Sequence, residues 1–350
     1  MLLRQYKYLK DFFNNREKPP SQQLREVYLD ESYIHQHYHR NDDSIWDSSD
    51  DQDIQLTKIS WKGRRYCFAA AIQGCDPRAS KQSKLRKDQK AGLIPGSFWA
   101  FCPQAKKEHL GDYHKVFNVG NFSKWFGDLL EKLKQPSLII MDNAKYHTAY
   151  GDEIPKVSKM KKKELQKYLR KKKIPFDKKK DLVISLKEKA RQHIKMNERK
   201  LVERMAEEKG HKVLFTPPYY SDLQPIEYVW AFVKGNVGRQ YSINTSLQEV
   251  YERLENEFAK LSTKGDLIAS MIKHCKKNAS KLWSELEDEG ESDTESKQKK
   301  KGKDGNEKKD TNYVDNDNEE DNSKWDSENE SENNDEESDN DSSISEESCS

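Results

Sequence analysis

Three carboxylates in this sequence, Asp30, Asp142 and Glu227, could do chemistry together. Each interrupts, follows or opens an apolar segment that must be buried, so the fold could bring the three side chains to one place. Carboxylates that converge in a cleft of low dielectric repel one another, and one or more takes up a proton unless a cation lies among them. Oxygen ligands alone select a hard cation, Mg²⁺ or Mn²⁺. Two such ions about 3.5–4 Å apart form the usual clamp for in-line attack on a phosphodiester.

Each acid also has a simpler explanation when it is taken alone. An Asp-Asn pair after a strand is often only a turn or a helix cap, which would account for Asp142 and Asn143. A glutamate in the first turn of a helix is a favourable charge, which would account for Glu227. The chemical interpretation therefore depends on the three acids occurring together.

The elements that must position the acids can be read from their flanking residues. The run Leu138–Met141 is apolar without interruption, which predicts a strand buried on both faces and ending at Asp142. Residues 25–39 predict a strand in which Asp30 alternates with apolar positions. Pro225 suits the first position of a helix, which places Glu227 at the rim of the apolar stripe and Lys234 two turns further along.

The remaining patterns predict a mixed α/β order. We expect a short helix and linker over residues 1–20 and strands at 64–74, 97–102 and 211–215. We expect a helix at 121–134 and amphipathic helix over 246–285. Between them, lysine-rich helices should extend to residue 210, and the third of these should lie around Ile194, Leu201 and Met205. Trp125 and Trp230 lie on apolar stripes and are expected in the core. The alternation of His35, His37 and His39 invites a zinc site, but without a fourth ligand nearby a polar strand end is the simpler interpretation.

Composition indicates that part of the chain is not packed. Only 33% of the residues are hydrophobic and 35% are charged, which favours a disordered acidic tail over residues 286–350. The net charge of +2 hides an asymmetry. Residues 156–200 hold 19 Lys or Arg against 5 Asp or Glu, whereas residues 311–350 hold 16 Asp or Glu against one Lys. A basic block of this density predicts a polyanionic partner, although a solvated helical face is the common alternative.

The five cysteines form no Cys-x-x-Cys pair, so neither a disulfide scaffold nor a zinc knuckle is expected. No apolar run approaches the ~18 residues that a membrane span requires. We expect an intracellular protein with no membrane partner.

Several strings together resemble the catalytic domain of mariner-type DDE transposases, of the RNase H-like integrase superfamily, over roughly residues 21–285. They are VYLDESYIH, PGSFWAFCP, NFSKWFGDLL, LIIMDNAKYH and PPYYSDLQPIEYVW. The resemblance implies an RNase H-like mixed sheet flanked by helices. It implies that Asp30, Asp142 and Glu227 are the first, second and third acids that bind Mg²⁺ or Mn²⁺. It also implies that Asn143 and His147 accompany the second acid. The substrate that it implies is DNA.

The sequence departs from the family pattern in two places. Asp142 and Glu227 are 85 positions apart, because a basic segment (156–210) is inserted; this insertion resembles a SAP module, a helical pair that binds DNA. We expect DNA contacts from its lysine clusters: Lys161, Lys162, Lys163, Lys171, Lys172, Lys173, Lys178, Lys179 and Lys180. The 20 residues before the catalytic domain cannot hold the helix-turn-helix domains that read transposon ends, so a truncated copy, a domesticated gene and a fragment are all open.

Two functions of different classes remain. The first is a metal-dependent DNA endonuclease and strand transferase, which the intact trio of acids favours. The second is a domesticated, catalytically silent DNA- or chromatin-binding protein, which the shortness of the N-terminal segment favours. Clusters such as 171–173 and 298–303 resemble nuclear-import patches and predict the nucleus as the location. The oligomeric state stays open, with a homodimer as one option.

Overall fold

The computed structural model describes residues 2–38, 62–79, 85–103 and 117–301. The strands in these ranges are β1 (Arg25–His35), β2 (Arg65–Gln73), β3 (Gly92–Leu93), β4 (Trp99–Phe101), β5 (Ser137–Met141) and β6 (Lys212–Phe215). The helices are α1 (Leu2–Glu17), α2 (Val119–Lys132), α3 (Lys162–Lys171), α4 (Val183–Asn197), α5 (Leu201–Glu208), α6 (Pro225–Arg239), α7 (Leu247–Ser262) and α8 (Gly265–Lys301). The chain divides into two units, Met1–Thr294 and Glu295–Ser350; of the second, only the end of α8 is described.

All six described strands belong to one mixed sheet with the order β3-β2-β1-β5-β6, and β4 also pairs with β2. β1 and β2 are antiparallel, as are β2 and its partners β3 and β4. β5 runs parallel to β1, and β6 runs parallel to β5. Antiparallel strands on one side of β1 and parallel strands on the other give the RNase H-like arrangement. The predicted fold class is thereby confirmed.

Helices cover both faces of this sheet. Side chains alternate along β1, so that Val27 and Leu29 pack with α2 and α5, whereas Tyr28 and Ile34 pack with α1, α6, α7 and α8. β5 lies between β1 and β6 in the sheet, and all five of its residues are buried. A strand covered on both faces has no polar side, which is why the run before Asp142 is apolar without interruption.

The insertion has a small hydrophobic core of its own. α3 and α4 pack against each other through buried aliphatic side chains: Leu165, Leu169, Leu186, Ala190 and Ile194. α5 differs, because Val202 and Ala206 are buried in the core on the α2 face of the sheet. The third helix of the basic segment was expected to include Ile194, and this was wrong. The chain becomes extended at Glu198, and the Leu201 N–H bonds to the Ala149 carbonyl, so a new helix begins there.

The predicted helix over residues 246–285 is two helices, α7 and α8, which is a second correction. The chain turns at Thr263 and Lys264 because the start of α8 approaches the sheet closely: a Cβ on Gly265 would lie 2.7 Å from the Ala91 carbonyl oxygen. α8 continues to Lys301 and so includes residues 286–301 of the predicted tail; residues 302–350 lie outside the described part. Within the described residues, no helix is both long and apolar enough to cross a membrane.

Candidate active site

The register of the sheet brings Asp30 and Asp142 side by side. β1 and β5 pair in parallel with Val27 opposite Ile139 and Tyr28 opposite Ile140. Asp30 lies two residues beyond Tyr28, and Asp142 lies two residues beyond Ile140. Because neighbouring strands are about 4.8 Å apart, the two acids stand next to each other at the carboxyl end of β5.

Asp30 is held by a helix that packs on the same face of the sheet. The indole Nε1–H of Trp230, in α6, donates a hydrogen bond to Asp30 Oδ2 at 3.0 Å. Trp230 is buried and its ring packs edge-on against Phe68. Burial raises the pKa of Asp30 well above its ordinary value, the charges of Glu31, Asp142 and Glu227 raise it further, and the bond from Trp230 opposes this. The bond from Trp230 therefore compensates the ionised form of Asp30 only in part.

Glu227 stands in the first turn of α6, after Pro225 at its first position. It is an exposed residue, yet partial desolvation of its carboxyl group raises its pKa, with Asp142 adding to the effect and Lys234 opposing it. Lys234, two turns further along α6, donates to Ser32 Oγ at 3.4 Å. Burial lowers the pKa of Lys234, while Glu227 and Asp30 raise it. Glu227 and Lys234 therefore share the electrostatic environment of Asp30 and Asp142.

Asp142 is fixed by a chain of hydrogen bonds that reaches back to β1. Its Oδ1 accepts from the Ala144 N–H at 3.0 Å and lies 2.6 Å from His147 Nδ1. The other ring nitrogen, Nε2, lies 3.1 Å from Glu31 Oε1, and the Tyr146 hydroxyl donates to Glu31 Oε2 at 2.8 Å. Burial alone would lower the pKa of His147, but Glu31 and Asp142 outweigh it and raise the pKa to about 10. The imidazole thus bridges two carboxylates through its two ring nitrogens.

Asn143 connects the end of β5 to the segment that follows β6. Its side-chain amide donates to the Thr216 carbonyl, and the Thr216 N–H bonds to the Met141 carbonyl at 2.9 Å. These contacts extend the pairing of β5 and β6 beyond the strands. They help to set the path of the chain towards α6, and hence towards Glu227.

The donor chemistry of the three acids fits a hard divalent cation. Asp30 feels the charges of both Asp142 and Glu227, and Glu227 feels that of Asp142; a cation among them would relieve this repulsion. In the part of the chain that the structure describes, no three His, Cys, Asp or Glu side chains approach closely enough to hold a metal ion together. The three acids share one electrostatic environment. Because they are not close enough to hold an ion in this arrangement, their roles as metal ligands stay a prediction.

The nine lysines predicted to contact DNA belong to the inserted basic segment. They lie on α3, just before it, and in the loop between α3 and α4. All of them are exposed except Lys162, which is half-buried. Lys172 forms an ion pair with Glu198 at 2.8 Å. Their role in binding DNA also stays a prediction.

The two tryptophans and the alternating histidines have structural surroundings. Trp125 and Trp230 are buried in the core, as expected. His35 lies 3.4 Å from the Gly63 carbonyl and edge-on to Tyr33, and His37 is edge-on to Tyr241. His39 lies outside the described residues. These contacts are those of polar residues at the end of a strand.

Sequence reasoning gave Glu31 no role beyond a charge that interrupts the strand, and it missed Tyr146 and the hydrogen bond from Trp230. Two consecutive acids within one strand were a usable signal for Glu31: they must point to opposite faces of the sheet, and here Glu31 is only 4% exposed. A buried carboxylate requires a partner. Which partner it has could not be read from the sequence, because Tyr146 and His147 are more than a hundred positions away.

Comparisons with known proteins give one family match. Residues 155–248 match the DDE superfamily endonuclease family, which confirms at the level of that family the resemblance stated above. The matched segment includes the insertion and Glu227 but neither Asp30 nor Asp142. No curated protein sequence matches this chain.

Solved structures of Mos1 transposase are also similar to this chain. A pre-cleavage Mos1 transpososome is 14% identical with a TM-score of 0.48, over 81% of this chain and 61% of the other. The Mos1 transposase catalytic domain with raltegravir and Mn is 12% identical with a TM-score of 0.41, over 81% of this chain and 94% of the other. This chain thus spans 61% of the length of the protein in the first structure.

Proposed function

We propose that this chain, which carries a segment of the DDE superfamily endonuclease family, is a metal-dependent DNA endonuclease and strand transferase derived from a mariner-type transposase. One observation carries the proposal: Asp30 in β1 and Asp142 directly after β5 stand side by side, and both share one electrostatic environment with Glu227. At Asp30 a neutral side chain would stabilise the fold better, because desolvation and the neighbouring negative charges disfavour its carboxylate. A functional role explains why an acid stands there.

In this proposal Asp30, Asp142 and Glu227 hold Mg²⁺ or Mn²⁺ through carboxylate oxygens. When bound, the cations supply an activated water or 3′-hydroxyl and neutralise charge on the leaving oxygen of a phosphodiester. The bond from Trp230 orients Asp30, and the two bonds to Oδ1 orient Asp142. Lys234 offsets part of the repulsion between Glu227 and Asp30. Glu227, the exposed member of the trio, is the third carboxylate ligand in this proposal.

DNA is the proposed substrate because the insertion presents a dense set of positive charges to solvent. Eight of the nine lysines named above are exposed, and each phosphate that a lysine neutralises contributes a salt-dependent term to affinity. The insertion has its own hydrophobic core, so this surface is a stable platform. We also propose a nuclear location from the lysine clusters, and a homodimer as the assembly that would act on paired DNA ends.

A silent DNA-binding protein is the second candidate. The self-contained core of α3 and α4 favours it, because DNA binding by this hairpin needs none of the three acids. Binding to DNA alone therefore does not distinguish the two functions. Cleavage does.

The test is nicking of supercoiled plasmid by the full chain with Mg²⁺ or Mn²⁺. We expect wild type to nick the plasmid and Asp142→Asn to lose this activity while it still binds DNA. Asp222→Asn is the matched control, because Asp222 is an exposed acid in the turn Ser221–Leu223, close in sequence to Glu227; it should retain activity. Cleavage by Asp142→Asn, or no cleavage by wild type on any DNA, would leave only the second candidate.

A further inference from the structure

Of the three acids, Asp142 is the one that no regular element holds. Asp30 lies within β1 and Glu227 within α6, so their backbones are fixed by strand and helix hydrogen bonds. Asp142 follows the last residue of β5, where the chain turns. The direction of its carboxylate is therefore set by local hydrogen bonds, which include the bond from the Ala144 N–H at 3.0 Å and the 2.6 Å contact with His147 Nδ1.

His147 is itself held from the other side by Glu31. The distance from Nε2 to Glu31 Oε1 is 3.1 Å, and the imidazole is fully buried against the ring of Phe122 at 4.3 Å between centroids. Glu31 is fixed in turn by its place in β1 and by the Tyr146 hydroxyl at 2.8 Å. Asp142 is thereby connected, through one imidazole, to the residue next to Asp30.

This geometry argues against two simpler roles. Glu31 is not a fourth ligand in the cleft, because it is 4% exposed, both of its oxygens have partners, and it points to the face of the sheet opposite Asp30. His147 is not a ligand either, since both of its ring nitrogens contact carboxylate oxygens and its side chain has no exposed surface. What remains is a rigid support for Asp142.

We propose that Glu31 and His147 are positioning residues that fix the carboxylate of Asp142 relative to Asp30 and so set the affinity of the site for its divalent cation. The inference rests on the proposed function. Residues that orient a metal ligand from behind change metal affinity by about 10- to 100-fold when they are removed. The span from Asp30 to Asp142 is then fixed twice, by the pairing of β1 with β5 and by the Glu31–His147 bridge.

The experiment is titration of the full chain with Mn²⁺ alone, followed by the electron paramagnetic resonance signal of the free ion, with thermal unfolding measured in parallel. We expect Glu31→Ala and His147→Ala to raise the Kd for Mn²⁺ by about 10- to 100-fold. Glu31→Gln keeps an oxygen that can accept from His147, so it should bind within about threefold of wild type. Ile139→Val, in the middle of the same sheet, controls for a general loss of stability and should leave the Kd unchanged.

The outcomes distinguish a failure of the positioning role from a failure of the metal site. If wild type binds Mn²⁺ and both alanine variants bind equally well, the positioning role is wrong and the metal site stands. If wild type does not bind Mn²⁺, the proposed function fails and this inference falls with it. Should an alanine variant not fold, Tyr146→Phe tests the same bridge by removing only the hydroxyl that orients Glu31, and an unchanged Kd in that variant would count against the proposal.

Discussion

Neutralising one cluster of the insertion tests whether its charge serves DNA. Lys178, Lys179 and Lys180 follow Asp177 in the loop between α3 and α4, and all three are exposed. The three lysines take part in the hydrogen bonds that hold this loop only through their backbone atoms. Asp177 Oδ1 accepts from the backbone N–H groups of Lys179 and Lys180, and the Lys178 carbonyl accepts from the Gln166 side chain. The triple Lys→Gln variant therefore removes charge without removing a contact that shapes the loop.

The expected magnitude follows from counterion release. Each lysine–phosphate interaction that the variant removes reduces the slope of log K against log salt by about 0.9, so removing three reduces it by about 2.7. Between 50 and 200 mM salt, wild type should then lose about 40-fold more affinity than the variant. Fluorescence anisotropy of a labelled duplex, measured at several salt concentrations, gives both slopes.

The matched control is the triple Lys→Gln variant at Lys273, Lys277 and Lys281 of α8. These residues are also exposed, and the change in net charge is the same. If the control changes the salt slope as much as the variant of the loop does, the effect is one of overall charge and the insertion has no special role. An unchanged slope in the loop variant would refute the reasoning directly.

Three further predictions concern Asp30, Trp230 and Leu165. Without metal, Asp30→Asn should raise the free energy of unfolding at neutral pH by about 1–3 kcal/mol, since two charges ~5 Å apart repel by about 3 kcal/mol at an effective dielectric of ~20. Folding raises the pKa of Asp30, so wild-type stability should fall as pH rises from ~3.9 through the raised pKa. Denaturant melts across pH should show a smaller fall in the variant, because Glu227, whose pKa is also raised, still contributes. Trp230→Phe removes the bond to Asp30 and should cost about 1–3 kcal/mol in urea unfolding, and a cost below about 1 kcal/mol would contradict it. Leu165→Ala, in the core of the insertion, should lower the free energy of unfolding of the insertion by about 2–5 kcal/mol. Amide hydrogen exchange should then become faster in α3 and α4 but not in β1, whereas a single shared core would make it faster in all three.

Local patterns located the candidate acids correctly within their elements. The unbroken run Leu138–Met141 could only be a strand buried on both faces, and the first polar residue after it had to stand at the strand end. Pro225 fixed the start of α6 because it lacks an N–H, and that start gave the place of Glu227 in the first turn. Short-range rules sufficed, because each statement concerns residues within a few positions of one another.

Helix boundaries that depend on tertiary contact were not predictable in the same way. The apolar spacing over residues 246–285 continues through the break between α7 and α8, so periodicity gave one helix. The break is set by the approach of Gly265 to the Ala91 backbone, a contact between residues far apart in sequence. Likewise, Ile194 belongs to α4 and not to α5, because the Leu201 N–H bonds to the distant Ala149 carbonyl and a new helix begins there.

The sequence by itself determined that the chain has a buried strand ending in an acid, a second strand with two consecutive acids, a helix opening on a third and a separate basic segment. Only the tertiary structure decided that Asp30 stands opposite Asp142, because the register of β1 against β5 pairs residues 112 positions apart, such as Tyr28 and Ile140. It also decided that Glu31 and His147 meet behind them. Hydrogen bonds between distant segments set these positions, and no local preference of the chain encodes which segments will pair.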